Sequence, residues 1–246
     1  MSARFRYLSF AICASTLLLS PPGRGQQPAI NEAGSTPAPA ASSGLTTPTN
    51  AADKLIAEAV AQMKANNVDA ALNDLSQAIK LNPSDTAAYV LRASIYYQKK
   101  QFTQSESDFQ AAGRLVPNDP LIKFNLLELK FIQKQYDLAR PGFVALEKDP
   151  QMGDLAAYKV FLCDLLGGRE TDAKRELDAF TSAMDNASYE FSNAAWQLVH
   201  KNIEGDNGAR YWLIRASHVY PPEKFNYYAQ SLHDLGYLPL PAPPQQ

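Results

Sequence analysis

Cysteine is nearly absent from this chain, which holds Cys13 and Cys163 among its 246 residues. Cys13 lies in an apolar N-terminal segment of the kind that is removed during export, and Cys163 would then be alone in the mature chain. A lone cysteine cannot form an internal disulfide, even in an oxidising compartment. We therefore expect the fold to be stabilised by side-chain packing.

The chain also has almost no net charge and few patterns typical of catalytic residues. The net charge is −2 and no basic stripe is present, so we expect no nucleic-acid partner. His200, His218 and His233 fall on three separate predicted helices, without a nearby cysteine to complete a metal site. Cys163 lies on an apolar stretch, and the sequence contains no glycine-rich phosphate loop and no G-x-S-x-G turn. We predict that the protein is not an enzyme and uses no metal or cofactor.

Residues 1–25 have the pattern of a secretory signal. Arg4 and Arg6 precede an apolar run over 7–19, which is short for a membrane span of about 20 residues. Three interpretations remain open: a cleaved signal peptide, which we favour, a retained signal anchor, and a buried helix of the folded domain. A lipid-modified Cys13 is disfavoured because Ile12 is bulky where a small residue is needed.

Residues 26–50 are mostly Pro, Ala, Ser, Thr, Gly and Asn, with almost no bulky apolar side chain. Such a segment buries too little surface to offset its ordering entropy, so we expect a disordered linker. We accordingly predict an exported bacterial protein, periplasmic or secreted, that contacts a membrane only through residues 1–25 if these are retained.

From residue 51 the chain repeats itself at a fixed interval of about 34 residues. Small, large and proline positions recur in one register: Ala59, Ala71, Leu75, Ala78, Leu81 and Pro83 correspond to Ala93, Ser105, Phe109, Ala112, Leu115 and Pro117. This register resembles the tetratricopeptide repeat, a helix-turn-helix unit of about the same length. The resemblance implies an all-α, right-handed α-solenoid that acts as a non-catalytic protein interaction scaffold.

The same interval continues through the rest of the predicted domain. The small position of the second helix is held by Ala71, Ser105, Ala139, Ala173 and, after a slightly longer step, Ala209. We predict about five repeats over 51–221, a capping helix over 222–236 that covers the last open face, and a proline-rich tail over 237–246. The approximate repeat bounds are 52–85, 86–119, 120–153, 154–189 and 190–221.

A residue that can cap a helix stands near the predicted start of each second helix. These residues are Asp69, Thr103, Asp137, Thr171 and Asp206. Side-chain oxygens of Asp and Thr accept hydrogen bonds from the free backbone N–H groups at a helix start. We therefore expect these five residues to be N-caps.

In the family that this chain resembles, the first helices of successive repeats line a concave surface that binds a segment of another protein. The resemblance implies an apolar and aromatic groove, with these candidate residues: Val90, Tyr97, Phe124, Asn125, Phe131, Tyr158, Lys159 and Leu162. Aromatic anchors flanked by polar groups suit a peptide or a helix of a partner protein. Any one of these residues could equally belong to the core, but we expect Tyr97, Phe131 and Tyr158 to be exposed together.

A second hypothesis is that the last repeats mediate self-association, which would make the protein a structural subunit of an envelope assembly. It rests on an aromatic-rich segment near the C-terminus: Tyr211, Trp212, Tyr220, Phe225, Tyr227 and Tyr228. Aromatic side chains are enriched at protein interfaces.

The signal pattern predicts where the mature chain begins. We expect mass spectrometry of the protein from its native cells to find an N-terminus near Gln26, because Gly23 and Gly25 form the best small-residue cleavage site. A chain that starts at Met1 or Ser2 in the cytosol would contradict export. The same start in a membrane fraction would identify a retained anchor.

Overall fold

The computed structural model describes residues 48–180, 187–203 and 207–238. Over these residues the chain forms eleven α-helices and no strand. The helices are α1 (Pro48–Lys64), α2 (Val68–Leu81), α3 (Thr86–Gln98), α4 (Phe102–Leu115), α5 (Pro120–Ile132), α6 (Tyr136–Leu146), α7 (Gly153–Leu166), α8 (Glu170–Ala179), α9 (Ala187–Val199), α10 (Ala209–Val219) and α11 (Pro222–Asp234). None of these helices is long and apolar enough to span a bilayer.

The predicted signal, most of the predicted linker and the end of the predicted tail lie outside the described residues. The predicted linker is shorter than expected at its C-terminal end, because α1 already begins at Pro48. Proline is well tolerated at the start of a helix, where its missing N–H would have had no partner.

The helices pack in chain order as five pairs, from α1 with α2 to α9 with α10. Each pair also packs against the next pair, and α11 packs against α9 and α10. Successive helix pairs that contact only their neighbours along the chain form an α-solenoid. The predicted all-α solenoid is therefore confirmed.

The small position of each second helix lies at the contact between the two helices of a pair. All five of its residues are buried: Ala71, Ser105, Ala139, Ala173 and Ala209. Ser105 is accommodated because its hydroxyl donates to the carbonyl of Ala93, at 2.8 Å, in the first helix of the same pair. Leu75, Phe109 and Phe143, one turn later in their helices, are fully buried. The alternation of small and large residues thus sets the distance between paired helices.

The turn inside each of the first four pairs contains a residue in the left-handed backbone region. Asn66, Lys100 and Lys134 have φ of 63°, 58° and 62°, and Gly168 has φ of 80°. These four positions recur at the repeat interval. The left-handed residue reverses the direction of the chain directly after the first helix. The second helix therefore begins soon after this residue.

Four of the predicted N-caps are wrong for this reason, and the fifth, Asp206, lies outside the described residues. The second helices start before the expected caps, which therefore lie in the first helical turn: Asp69, Thr103, Asp137 and Thr171. Side-chain N-caps are found instead at the starts of α3 and α5, each of which is the first helix of its pair. Asp85 accepts from the N–H of Ala88 at 3.1 Å, and Asp119 accepts from the N–H of Ile122 at 3.0 Å.

A buried charge cluster joins the third and fourth pairs. The Asp164 side chain is 0% exposed and accepts hydrogen bonds from Nε of Arg140 at 2.7 Å and Nε of Arg169 at 2.5 Å. Burial alone would raise the pKa of Asp164, but the hydrogen bonds from the two guanidinium groups outweigh it and lower the pKa. The carboxylate is therefore ionised and links α6, α7 and the turn before α8.

We expect Asp164→Asn to lower the free energy of unfolding by about 3 kcal/mol, because it leaves two arginines facing a neutral side chain. The measurement is urea unfolding at pH 7, followed by circular dichroism. The matched control is Asp172→Asn, whose partner Arg175 is 70% exposed and which should change stability by less than about 1 kcal/mol. Equal effects of the two substitutions would contradict a structural role for the buried cluster.

Candidate functional site

The candidate site is the surface formed by the first helices α1, α3, α5, α7 and α9, which we call the groove. Its eight predicted residues lie on α3 (Val90, Tyr97), α5 (Phe124, Asn125, Phe131) and α7 (Tyr158, Lys159, Leu162). All eight are buried, from 0% exposed for Tyr158 to 8% for Tyr97. The expectation that Tyr97, Phe131 and Tyr158 are exposed is therefore wrong. Whether these residues bind a partner stays a prediction.

Packing within the repeats buries part of this set. The Phe124 ring lies 5.2 Å from the ring of Phe143 in α6, and the Phe131 ring lies 5.4 Å from that of Tyr136. Both distances join ring centroids and are typical of paired aromatic side chains in cores. These two phenylalanines therefore stabilise the third helix pair, as the competing core interpretation expects.

The C-terminal helix α11 contacts two residues of the set, Tyr158 and Tyr97. The rings of Tyr158 and Tyr228 are 5.4 Å apart, and the Tyr228 hydroxyl donates to the carboxylate of Asp154 at the start of α7. At the other end of α11, Oδ2 of Asp234 lies 3.4 Å from the Tyr97 hydroxyl. The helix thus reaches from α7 back to α3.

Helix α9 supplies the remaining aromatic surface beneath α11. The Phe191 ring is 5.2 Å from Phe225 and 5.3 Å from Tyr228. Ser188, at the start of α9, donates to Oδ1 of Asp154 at 2.6 Å. The aromatic residues Phe225 and Tyr228 therefore pack inside the chain.

Two spacings in the sequence indicate these contacts, although the predicted repeats did not use them. Asp154 and Ser188 are separated by one repeat interval, so they hold the same position in two repeats. Ala229 likewise follows Ala195 by one repeat interval, and both are buried. Helix α11 therefore holds the position of the first helix of a further repeat. The C-terminal end of α11 crosses the groove.

A buried ion pair forms the polar centre of the groove. Nζ of Lys159 lies 2.7 Å from Oε2 of Glu128, and the Lys159 side chain is 2% exposed. The same Nζ is 4.4 Å from the centroid of the Phe131 ring, so the cation also contacts an aromatic face. Burial raises the pKa of Glu128, and Lys159 opposes this rise. Burial also raises the pKa values of Tyr97 and Tyr158, so both are neutral phenols at neutral pH.

Several buried polar atoms near this centre have no hydrogen-bond partner among the described residues. They are Nδ2 of Asn125, Oε1 of Glu128 and the Tyr158 hydroxyl. A buried polar group without a partner costs about 1–3 kcal/mol. Helix α11 therefore covers the groove without satisfying its polar groups.

Two of the other candidate chemical groups, Cys163 and His200, are shielded or paired. Burial raises the pKa of the Cys163 thiol to about 12, which keeps it protonated at neutral pH. The His200 ring stacks on Trp196, and its Nε2 lies 2.9 Å from Glu170. Over 48–180, 187–203 and 207–238, no three His, Cys, Asp or Glu side chains converge to hold a metal ion.

Comparisons with known proteins agree with this architecture. The sequence profile of the tetratricopeptide repeat matches residues 56–120. Bacteriophage adsorption protein A of Escherichia coli strain K12 is 34% identical over 92 residues, which are 36% of this chain and 9% of that protein. The structure of pilF from Pseudomonas aeruginosa is 14% identical, with a TM-score of 0.54, over 78% of this chain and 89% of pilF. YrrB, described as a TPR protein with an unusual peptide-binding site, is 20% identical, with a TM-score of 0.48, over 74% of this chain and 92% of YrrB.

Stacked helix pairs joined by turns that contain left-handed residues place the fold in the class of helical-repeat solenoids. Within that class, residues 56–120 match the tetratricopeptide repeat, which supports the predicted resemblance to that family. Proteins of this family are generally non-catalytic scaffolds that bind protein or peptide partners.

Loss of the side-chain hydroxyl should affect the free energy of unfolding differently at two tyrosines whose rings are in contact. Tyr158→Phe removes a buried hydroxyl without a partner and should leave the free energy of unfolding unchanged or slightly higher. Tyr228→Phe removes the donor to Asp154 and should cost about 1–3 kcal/mol. Urea unfolding of both variants measures the difference, and a larger loss for Tyr158→Phe would contradict the assigned contacts.

Proposed function

We propose that this protein is an exported scaffold that binds a helix or extended segment of another protein in its groove. The observation that carries the proposal is that the groove accommodates a helix. Helix α11 lies on it through the contact between the Tyr158 and Tyr228 rings and through side-chain hydrogen bonds with Asp154 and Tyr97. A surface that holds one helix in this way has the shape and chemistry to hold another.

The N-terminal part of the groove supports the same proposal because it is open. Ala57 on α1 holds the repeat position that Asn125 and Lys159 hold in later repeats. Ala57 is exposed, whereas Asn125 and Lys159 are buried. The hydrogen bonds and ring contacts of α11 described above end at α3, so a ligand can first meet the protein at α1.

We further propose that the protein works in the periplasm or outside a bacterial cell. This part rests on the basic residues Arg4 and Arg6, the apolar run over 7–19 and the polar segment that follows. All of them lie outside the described residues. A membrane is contacted only if the N-terminal segment is retained.

Self-association is a second candidate function. The surface that would mediate it differs from the aromatic-rich segment expected from the sequence. Among the aromatic residues on which it rested, Trp212, Tyr220 and Tyr228 are buried within the chain. Helix α10 instead exposes three apolar or aromatic side chains: Tyr211 at 43%, Ile214 at 49% and Val219 at 50%. These residues offer an apolar face to a second copy of the chain.

Site-specific photocrosslinking in native cells distinguishes these functions. We expect a photoreactive phenylalanine at Ala57 to form an adduct that maps to one contiguous segment of another protein. The matched control is the same group at Ser107, which is exposed on the second helix α4 and should form no such adduct.

Absence of an adduct at Ala57, or equal adducts at Ala57 and Ser107, would contradict the groove as the binding surface. A third probe at Ile214 tests the alternative. An adduct between two copies of the chain at Ile214 would favour the structural subunit over the scaffold.

A further inference from the structure

We infer that α11 is a replaceable ligand of the groove, and that the partner segment is an amphipathic helix with the chemistry of α11. Such a helix carries two aromatic residues one turn apart, an aliphatic residue one turn further on, and a carboxylate at its C-terminal end. In α11 these are Phe225, Tyr228, Leu232 and Asp234. The inference rests on the proposed function and adds the nature of the partner.

The contacts of α11 define what a replacement must supply. Its two aromatic rings pack on Phe191 at the end of the stack. Leu232 is 1% exposed and lies in the same apolar core cluster as Tyr158. Asp234 meets the Tyr97 hydroxyl at the far side of the groove. A helix that lacks either the rings or the terminal carboxylate would lose one end of this interaction.

The junction between α10 and α11 allows α11 to leave as a unit. Helix α10 ends at Val219, and Pro221 is extended, with φ of −61° and ψ of 153°. The prolines at 221 and 222 have no backbone N–H, so neither can donate a helical hydrogen bond that ties α11 to α10. Only four residues of α11 are buried: Tyr228, Ala229, Ser231 and Leu232.

The fit of α11 to the groove is also incomplete. Nδ2 of Asn125 and Oε1 of Glu128, one turn apart on α5, have no hydrogen-bond partner among the described residues. Asp234 adds a second acidic group near Glu128, and its charge acts with burial to raise the pKa of Glu128. A partner helix with a side-chain amide at this point would accept from Asn125 and donate to Glu128. Such a helix would therefore compete with α11 for the groove, even though α11 belongs to the same chain.

The test uses a fluorescein-labelled synthetic peptide of residues 222–238 and the full chain. Leu232→Arg places a charge in the α11 interface without altering the groove. We expect this variant to bind the peptide at least tenfold more tightly than the unaltered chain does, measured by fluorescence polarisation. Leu138→Arg, the same change at an exposed leucine on α6, is the matched control and should behave like the unaltered chain.

The peptide itself is also varied. Replacing Asp234 by Ala in the peptide should weaken binding to the Leu232→Arg chain at least threefold, whereas replacing the exposed Glu223 should not. Equal binding by the Leu232→Arg and Leu138→Arg chains would overturn the inference. So would equal binding of the two altered peptides.

Hydrogen exchange of the unaltered chain decides the matter if Leu232→Arg does not fold. Amides of α11 should exchange faster than those of α7, since α11 opens while the stack stays intact. Identical protection of α11 and α7 would overturn the inference. Peptide binding without any photocrosslinked partner at Ala57 would contradict the proposed function and leave the replaceable helix standing. A partner at Ala57 without peptide binding would do the reverse.

Discussion

The open apolar face at the end of the helix stack is the constraint on which this structure depends. Each helix pair leaves one face uncovered until its neighbour packs on it. The last pair, α9 with α10, has only α11 among the described helices to cover it, and Phe191 is fully buried beneath Phe225 and Tyr228. The same helix continues across the groove to Tyr97. Closing the stack and filling the groove are therefore one packing event, and a partner that replaces α11 must do both.

Two buried charge clusters have different consequences in this fold. Asp164 lies between two arginines that satisfy it, so this cluster holds neighbouring repeats in a single arrangement. Glu128 is paired with Lys159 through one oxygen and has no hydrogen-bond partner for the other among the described residues. Both carboxylate oxygens of Asp164 accept hydrogen bonds, whereas Glu128 would gain from a ligand that donates to its unpaired oxygen. A ligand that donates to Oε1 of Glu128 would therefore gain a hydrogen bond in the groove.

Periodicity predicted the helix pairs because the contacts inside a repeat are local and recur at one fixed interval. The small positions at Ala71 and Ala139 could be found from spacing alone. The burial of Tyr97 could not, because Asp234 lies 137 residues away in sequence and no repeat pattern records where the last helix turns. The N-caps failed for a local reason, since spacing does not show which residue, such as Lys100, adopts positive φ.

Proton–proton contacts in solution test most directly whether α11 occupies the groove. The account predicts nuclear Overhauser contacts between the rings of Tyr158 and Tyr228 and between Tyr97 and Asp234, together with those between Phe191 and Phe225. Contacts between Phe191 and Phe225 without the other two would contradict it, because α11 would then close the end of the stack while leaving the groove empty.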